Sequence, residues 1–386
     1  MQSRVILKVL GFLLIIFSVT MLPPMFLGWY DNDGTQIVFL EAWGLLLFSG
    51  LMMWLPNHKK SDDLRIRDGF LIVVLFWLVL ALSGALPFVL AEDPRMSFVD
   101  AFFESMSGLT TTGATVLTGL DTLPRSILYY RQQLQWLGGM GIIVLAVAIA
   151  PILGVGGMQL FRAESPGPMS NNKLTPRITE TAKALWYIYL GLTVVCAAMY
   201  YLAGMSLFDA IGHSFSTLAI GGFSTHDASI AYFNSPLIDS IAMFFMVVAG
   251  INFSLHYIAI RRHTIGHYLA DSEVKAFLLI LAALSVITIT MLIVDGTFKD
   301  TSTAIRLGLF QVISIATTTG FTTNNFSYWP GLLPVLLIIG SFVGGCAGST
   351  AGGMKVIRVE LLMRQGRREI DRLLHPNAVL PIKLNK

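Results

Sequence analysis

The sequence predicts an all-α polytopic membrane protein in which one unit of helix, re-entrant segment and helix recurs. Three observations carry that prediction. The 386 residues are 54% hydrophobic and 13% charged, with a mean hydropathy of +0.69, whereas soluble domains carry roughly 25% charge. Apolar runs long enough to cross a bilayer recur along the chain. Between them lie three similar stretches rich in Thr, Ser and Gly.

The apolar runs cover 5–29, 36–55, 69–91, 135–153, 183–204, 236–260 and 274–295. An eighth, 331–343, dissolves into glycines. Pro23 and Pro24 predict a kink or an end in the first run, because proline supplies no N–H to the helix. Arg4 and Lys8 at the head of that run are compatible with a signal peptide. No small-x-small cleavage site follows, so the segment reads as a first span. Placing the N-terminus in the cytoplasm puts every Lys and Arg inside except Arg95, Arg125, Arg131, Lys299 and Arg306. That is the bias cytoplasmic loops carry.

This orientation requires that 97–116, 206–225 and 303–323 do not cross. Each is too short or too polar to span, and non-helical backbone at membrane depth is tolerated where it lines a cavity. The three stretches also resemble one another. SFVDAFFESMSGLTTTGAT (97–115) aligns with SLFDAIGHSFSTLAIGGFST (206–225), pairing Asp100 with Asp209, Ser107 with Ser216 and Gly113 with Gly222. LGLFQVISIATTTGFTT (307–323) keeps Ser314 and Gly320 in register. A repeat in parallel orientation predicts units arranged around an axis along the membrane normal.

A short helix that ends at mid-depth points its partially negative C-terminus inward. The chain then returns in extended form, and rings of main-chain carbonyls can replace the hydration shell of a cation. Glycine at the turning point permits geometry that a side chain opposes. Thr110, Thr111, Thr112 and Gly113 fit this role, as do Thr317, Thr318, Thr319 and Gly320. Ala219, Ile220, Gly221 and Gly222 match in glycine but lack hydroxyls, which assigns coordination to the main chain rather than to threonine side chains. A lone TTTG is weak as a signal; three in register are not.

TTTGAT with the upstream FFESMSG, then IGGFST, ATTTGFTT and GSFVGGCAGSTAGGMKVIRVE (340–360) resemble the Trk/Ktr/HKT superfamily of potassium transporters, most closely its bacterial channel subunits. The resemblance covers essentially the whole chain. It implies helix–pore helix/filter loop–helix units around one pore, each giving one filter segment with a key glycine. The glycines are Gly113, Gly222 and Gly320, flanked by Thr110, Ala219 and Thr317. The carbonyls of Thr111, Thr112, Ile220, Gly221, Thr318 and Thr319 would ligate K+, the permeant ion, and no organic cofactor is expected. Glycine at position 113 goes with potassium permeation in this family, and serine there with sodium preference. The resemblance further implies a homodimer on a cytosolic ring of a nucleotide-binding regulator resembling TrkA, within a bacterial inner membrane, with no nucleic-acid partner.

The expected organisation is two additional N-terminal helices (1–60), pore units at 61–165, 166–265 and 266–365, and a cytosolic link at 366–386. The family has four units and this sequence has three, so the expectation is a C-terminally truncated subunit. Completion by partners and an inactive fragment are the alternatives. Gly340, Gly344, Gly345, Gly348, Gly352 and Gly353 interrupt what should be a helix. So many glycines, each costing up to about 1 kcal/mol relative to alanine, predict an intramembrane loop. Close helix packing through small residues is the structural alternative. The family resemblance implies a gate beneath the filter.

His213 aligns with Glu104 and Gln311 and reads as a packed pore-helix residue, because no ligand pattern surrounds it. Asp100 and Asp209 read as acids at helix starts. Arg131, Gln132, Gln133 and Gln135 read as the polar outer end of a span. Cys196 and Cys346 read as small buried residues. Arg364, Arg367, Arg368 and Arg372 read as a topology determinant rather than a docking surface. GGMK and LGVGGM (153–158) fit neither a P-loop nor a dinucleotide motif. A coupled secondary transporter is the alternative to a gated pore, although ionisable groups within the spans are few. A membrane enzyme would need polar clusters at one membrane face, which the sequence does not offer.

Overall fold

A computed structural model describes residues 3–58, 66–139, 141 and 178–375. Every regular element among them is a helix. The chain divides into two compact units, Met1–Ser229 and Ile230–Lys386.

In the first unit, α1 (Ser3–Val19) and α2 (Leu22–Asp31) together make an apolar stretch of 29 residues. The break falls at Thr20 and Met21, just ahead of the two prolines, because their missing N–H groups cannot continue the hydrogen-bond ladder of α1. Helix α3 (Thr35–Trp54) crosses α1 closely. A Cβ on Gly11 would lie 2.8 Å from the Gly50 carbonyl oxygen, so small residues set this crossing. Helices α4 (Ile66–Gly84) and α5 (Leu86–Leu90) supply the span Phe70–Leu90. The short α6 (Phe98–Leu109), then α7 (Arg125–Gly139), α8 (Ile178–Leu202) and the short α9 (Leu207–Leu218) are the remaining α-helices among the described residues of the unit. Phe39, Phe76, Phe88, Tyr130 and Leu134 form its core with the buried face of α1. Most of the run expected at 135–153, and LGVGGM with it, lies outside the described residues.

The second unit corrects one expectation. The run 236–260 is not one straight span: α10 (Pro236–Ala249) and α11 (Phe253–Arg262) meet at 94°. Gly250 and Asn252 cause the break. Asn252 caps α11 by accepting the Ser254 N–H at 2.8 Å, which starts a new helix instead of extending the old one. Next come α12 (Gly266–Ala270), α13 (Ser272–Asp295), α14 (Thr301–Ala316), α15 (Leu333–Val343) and α16 (Val356–Leu374). The 11 residues of α15 rise about 16 Å, about half of a ~30 Å hydrocarbon core. Helix α16 runs through the boundary expected at 366, and residues 376–386 lie outside the described residues.

Candidate functional site

Two of the three short helices begin the same way. Ser97 Oγ accepts the Asp100 N–H at 3.2 Å and donates to Asp100 Oδ2 at 2.7 Å. Ser206 does the same with Asp209, at 3.1 and 2.7 Å. These are serine N-caps in which the aspartate accepts the serine hydroxyl in return, so Asp100 and Asp209 sit at the helix starts as their positions predicted. Helix α14 starts at Asp300 without a side-chain cap.

The three helices end in one repeated turn. The N–H of Thr112 donates to Ser107 O at 2.9 Å, that of Gly221 to Ser216 O at 2.9 Å, and that of Thr319 to Ser314 O at 2.8 Å. The residue before each donor is left-handed: Thr111 at φ +54°, Ile220 at φ +54° and Thr318 at φ +71°. A β-branched residue there is a genuine outlier, maintained by its surroundings. Two residues on, Gly113, Gly222 and Gly320 are left-handed as well, at φ +76°, +76° and +88°. A trans peptide holds its C=O opposite its N–H. The N–H groups of Thr112, Gly221 and Thr319 point back into their helices, so the carbonyls of Thr111, Ile220 and Thr318 point away from them. The Gly320 N–H donates to Ser314 O at 3.3 Å, which turns the Thr319 carbonyl outward too.

The segments differ in their braces. Thr110 Oγ1 bonds Met106 O at 2.7 Å and Thr112 Oγ1 at 2.8 Å. Thr317 Oγ1 likewise bonds Ile313 O and Thr319 Oγ1, both at 2.7 Å. Ala219 and Gly221 have no hydroxyl to do this. There Gln135 Nε2 donates to Gly221 O at 2.6 Å and the Phe223 N–H donates to Gln135 Oε1 at 3.0 Å. A carbonyl oxygen has two lone pairs, so Gln135 leaves one on Gly221 O. Gly113 belongs to the same close contact: a Cβ there would sit 2.0 Å from Gly221 O.

The structure gives Arg131, Gln132, Gln133 and Gln135, which the sequence reads as the polar outer end of a span, an interior role. All four are buried, three of them completely. Gln132 Nε2 donates to Phe223 O at 3.2 Å, and Arg131 Nη1 to Ser224 O at 3.2 Å. Arg131 Nε meets Glu104 Oε1 at 2.7 Å, Nη2 donates to Thr115 Oγ1 at 3.0 Å, and the guanidinium lies 4.4 Å from the Phe223 ring centre. One face of α7 thus runs along the main chain of 221–224 and grips the first segment through Glu104 and Thr115. Two adjacent glycines let α7 approach: a Cβ on Gly138 would be 1.9 Å from Leu109 O, and one on Gly139 3.0 Å from Ala219 Cα.

Glu104, His213 and Gln311 occupy one position in the three short helices, and all are fully buried. Thr115 Oγ1 donates to Glu104 Oε1 at 2.9 Å, and His213 Nε2 lies 2.9 Å from Ser224 Oγ, each pairing a helix with its own returning segment. His213 is therefore the packed, hydrogen-bonded residue expected. Gln311 breaks the pattern, because neither polar atom of its side chain has a partner among the described residues.

The glycine-rich run folds as a compact loop between α15 and α16. Gly344, Gly348 and Gly353 have φ of +69°, +73° and +76°. The loop doubles back so closely that a Cβ on Gly344 would lie 2.1 Å from Gly352 O. Buried Glu273, at the start of α13, takes the N–H groups of Ala347 at 2.7 Å and Ile357 at 3.1 Å on one oxygen. Cys346 N–H donates to Gly250 O at 2.9 Å, and Phe253 N–H donates to Gly348 O at 3.0 Å, which ties the loop to the α10–α11 break. Its Gly352 N–H donates to Thr318 Oγ1 at 2.7 Å, so the loop touches the third segment directly. Gly340 does not belong to this loop. It lies within α15, where its missing side chain admits Leu284 of α13: a Cβ there would be 2.9 Å from Leu284 Cδ1.

The residues that sequence reasoning missed are Gln132, Gln135, Arg131 and Glu273. The sequence singles out the first three as polar positions at the head of an apolar run, but nothing local to them marks their burial or their main-chain partners. Both cysteines are buried and unbridged. Arg364, Arg367, Arg368 and Arg372 lie on α16, where Arg364 pairs with Glu360, and Arg368 and Arg372 pair with Glu369. Among the described residues no group of three or more His, Cys, Asp or Glu is placed to hold a metal ion.

Comparison with known proteins agrees with this architecture. Residues 34–386 match the family model TrkH, described as cation transport protein. The chain is 56% identical over 386 residues to the Trk system potassium uptake protein TrkH of Halomonas elongata, covering 100% of this chain and 80% of that one. It is 41% identical over 381 residues to the Trk system potassium uptake protein TrkG of Escherichia coli K12, covering 99% of this chain and 78% of that one. The crystal structure of the potassium transporter TrkH from Vibrio parahaemolyticus superposes with a TM-score of 0.90 at 52% identity, over 100% of this chain and 79% of that one. With the family model matched over most of its length and these identities, the chain belongs to the TrkH family of cation transport proteins.

Proposed function

We propose that this protein takes up potassium across a bacterial inner membrane through a selective, gated path lined by main-chain carbonyls. The observation that carries the proposal is the threefold turn, with its left-handed residue, its serine acceptor and its left-handed glycine two residues later. Under this reading Thr111, Thr112, Ile220, Gly221, Thr318 and Thr319 offer oxygens to K+, and Gly113, Gly222 and Gly320 permit the turn. No charged side chain need hold the ion, which keeps it from being trapped. The relatives named for potassium uptake support the choice of ion.

The pore units at 61–165, 166–265 and 266–365, after two additional helices, remain part of the proposal, with the N-terminus cytoplasmic. So do a homodimer and a cytosolic nucleotide-binding regulator of the TrkA type, in keeping with the Trk system names of the relatives. The loop of Gly344–Gly353 is the gate, since it contacts Thr318 and is anchored by one carboxylate. The test is potassium flux into vesicles reconstituted with the full-length gene product. Deleting 344–352 raises flux if the loop obstructs the path; unchanged or lower flux from a monodisperse protein rejects the gate.

A further inference from the structure

We infer that Gln135 is a positioning residue for the second filter segment, supplying from α7 the brace that the other two segments build from paired threonines. The inference rests on the ion-filter reading above and goes beyond it by assigning a side chain that contacts no ion.

In the first and third segments the brace is internal, Thr110 to Thr112 and Thr317 to Thr319. The aligned pair in the second segment is Ala219 and Gly221, which cannot form it. Gln135 bonds this turn twice, to Gly221 O at 2.6 Å and from Phe223 N–H at 3.0 Å. Only one amide orientation satisfies both neighbours, because a carbonyl can only accept and a backbone N–H can only donate. The amide also fills the space beside residue 221: a Cβ there would lie 2.4 Å from Gln135 Cδ. Threonine in the other segments and glycine here are therefore two solutions to one requirement. Glycine at 221 is needed because Gln135 stands where the side chain would go.

Residue 221 has no left-handed φ, and its counterparts Thr112 and Thr319 carry side chains. A threonine at 221 is thus compatible with the backbone once Gln135 is shortened. That makes the brace exchangeable, which a merely space-filling glutamine is not.

The experiment measures the potassium-to-sodium permeability ratio of the full-length gene product in vesicles, with thermal stability followed in parallel. Gln135→Ala and the near-isosteric Gln135→Glu, which keeps volume but loses the Nε2 donor, should each lower the ratio by about tenfold, the effect of one unpaired buried partner. The triple variant Ala219→Thr/Gly221→Thr/Gln135→Ala rebuilds the threonine brace and should recover most of the loss. Recovery supports the exchange. An unchanged ratio in both single variants, even with lower thermal stability, overturns the proposal, and so does a loss that the triple variant fails to recover. If Gln135→Ala does not fold, Gln135→Glu decides. Gly113→Ser is run alongside: if it leaves the ratio unchanged, the ion-filter reading itself falls, a different failure from that of Gln135.

Discussion

Along 216–224 the main chain is held from the side, by Gln132, Gln135 and Arg131 of a neighbouring helix. Along 314–322 it is held by its own hydroxyls, with Ser314 Oγ donating to Phe321 O at 2.6 Å and Thr317 bridging to Thr319. The backbone torsions and the turn hydrogen bonds are nevertheless nearly the same. The geometry is the shared feature, and different atoms enforce it in the two segments. The two segments also face different neighbours. The first unit invests its buried polar groups in a rigid lattice around Arg131, whereas the third segment gives its Thr318 hydroxyl to the glycine-rich loop.

The largest expected effect comes from breaking the lattice on one side of this comparison. Arg131→Met leaves Glu104 buried without its cation, a defect that costs about 3–5 kcal/mol. Thermal unfolding in detergent should fall steeply. Gln311→Met in the third segment should be neutral or stabilising, since both polar atoms it removes are buried without partners among the described residues. Equal losses from the two variants would dissolve the distinction between the segments.

A smaller effect concerns the anchor of the loop. Glu273→Leu strands the N–H groups of Ala347 and Ile357, each worth about 1–3 kcal/mol when left unpaired. Proteolysis between Gly344 and Gly353 should become easier and potassium flux should rise. A loop equally resistant in the variant would show that other bonds hold it.

The smallest effect lies in the loops of the first unit that carry Asp121 and His226. His226 Nδ1 meets Asp121 Oδ1 at 2.5 Å, and its Nε2 lies 3.5 Å from Asp209 Oδ1. Burial opposes a charge on His226, but the hydrogen bonds and charges of Asp209 and Asp121 outweigh it and raise its pKa above 6.5. The hydrogen bond to His226 is the main cause holding Asp121 below 3.8. The raised histidine stabilises the loop fully below pH 6.5, and this is lost as pH rises through its folded pKa. The lowered aspartate stabilises it above pH 3.8, and this is lost as pH falls through its folded value. Protection of residues 117–123 from hydrogen exchange should therefore be greatest between those limits. With Asp121 half exposed, the change stays under about 1 kcal/mol. His226→Gln should flatten the profile.

The repeat was legible in the sequence because glycine and serine recur in register and their backbone roles cannot be taken by most other residues. AIGGF without hydroxyls already directed attention to the main chain. The role of Gln135 was not legible, because its partners are backbone atoms some ninety residues away, and main-chain donors and acceptors leave no mark in a side-chain pattern. Polar residues heading an apolar run are ordinarily solvated, so burial of all four had no local signal. The break at 250–252 was hidden for a related reason. One glycine within an apolar run is common in membrane helices, and only the cap at Asn252 turns it into a corner. Gly340 resembled the loop glycines by type and spacing, yet it serves helix packing.

The most direct test of the carbonyl filter is the potassium-to-sodium permeability ratio of Gly113→Ser in the full-length gene product. Residue 113 is left-handed and stands against Gly221 O, so a side chain there disturbs two segments at once. The ratio should fall toward sodium while the protein remains folded. A folded variant with an unchanged ratio would contradict the assignment of these segments as the filter.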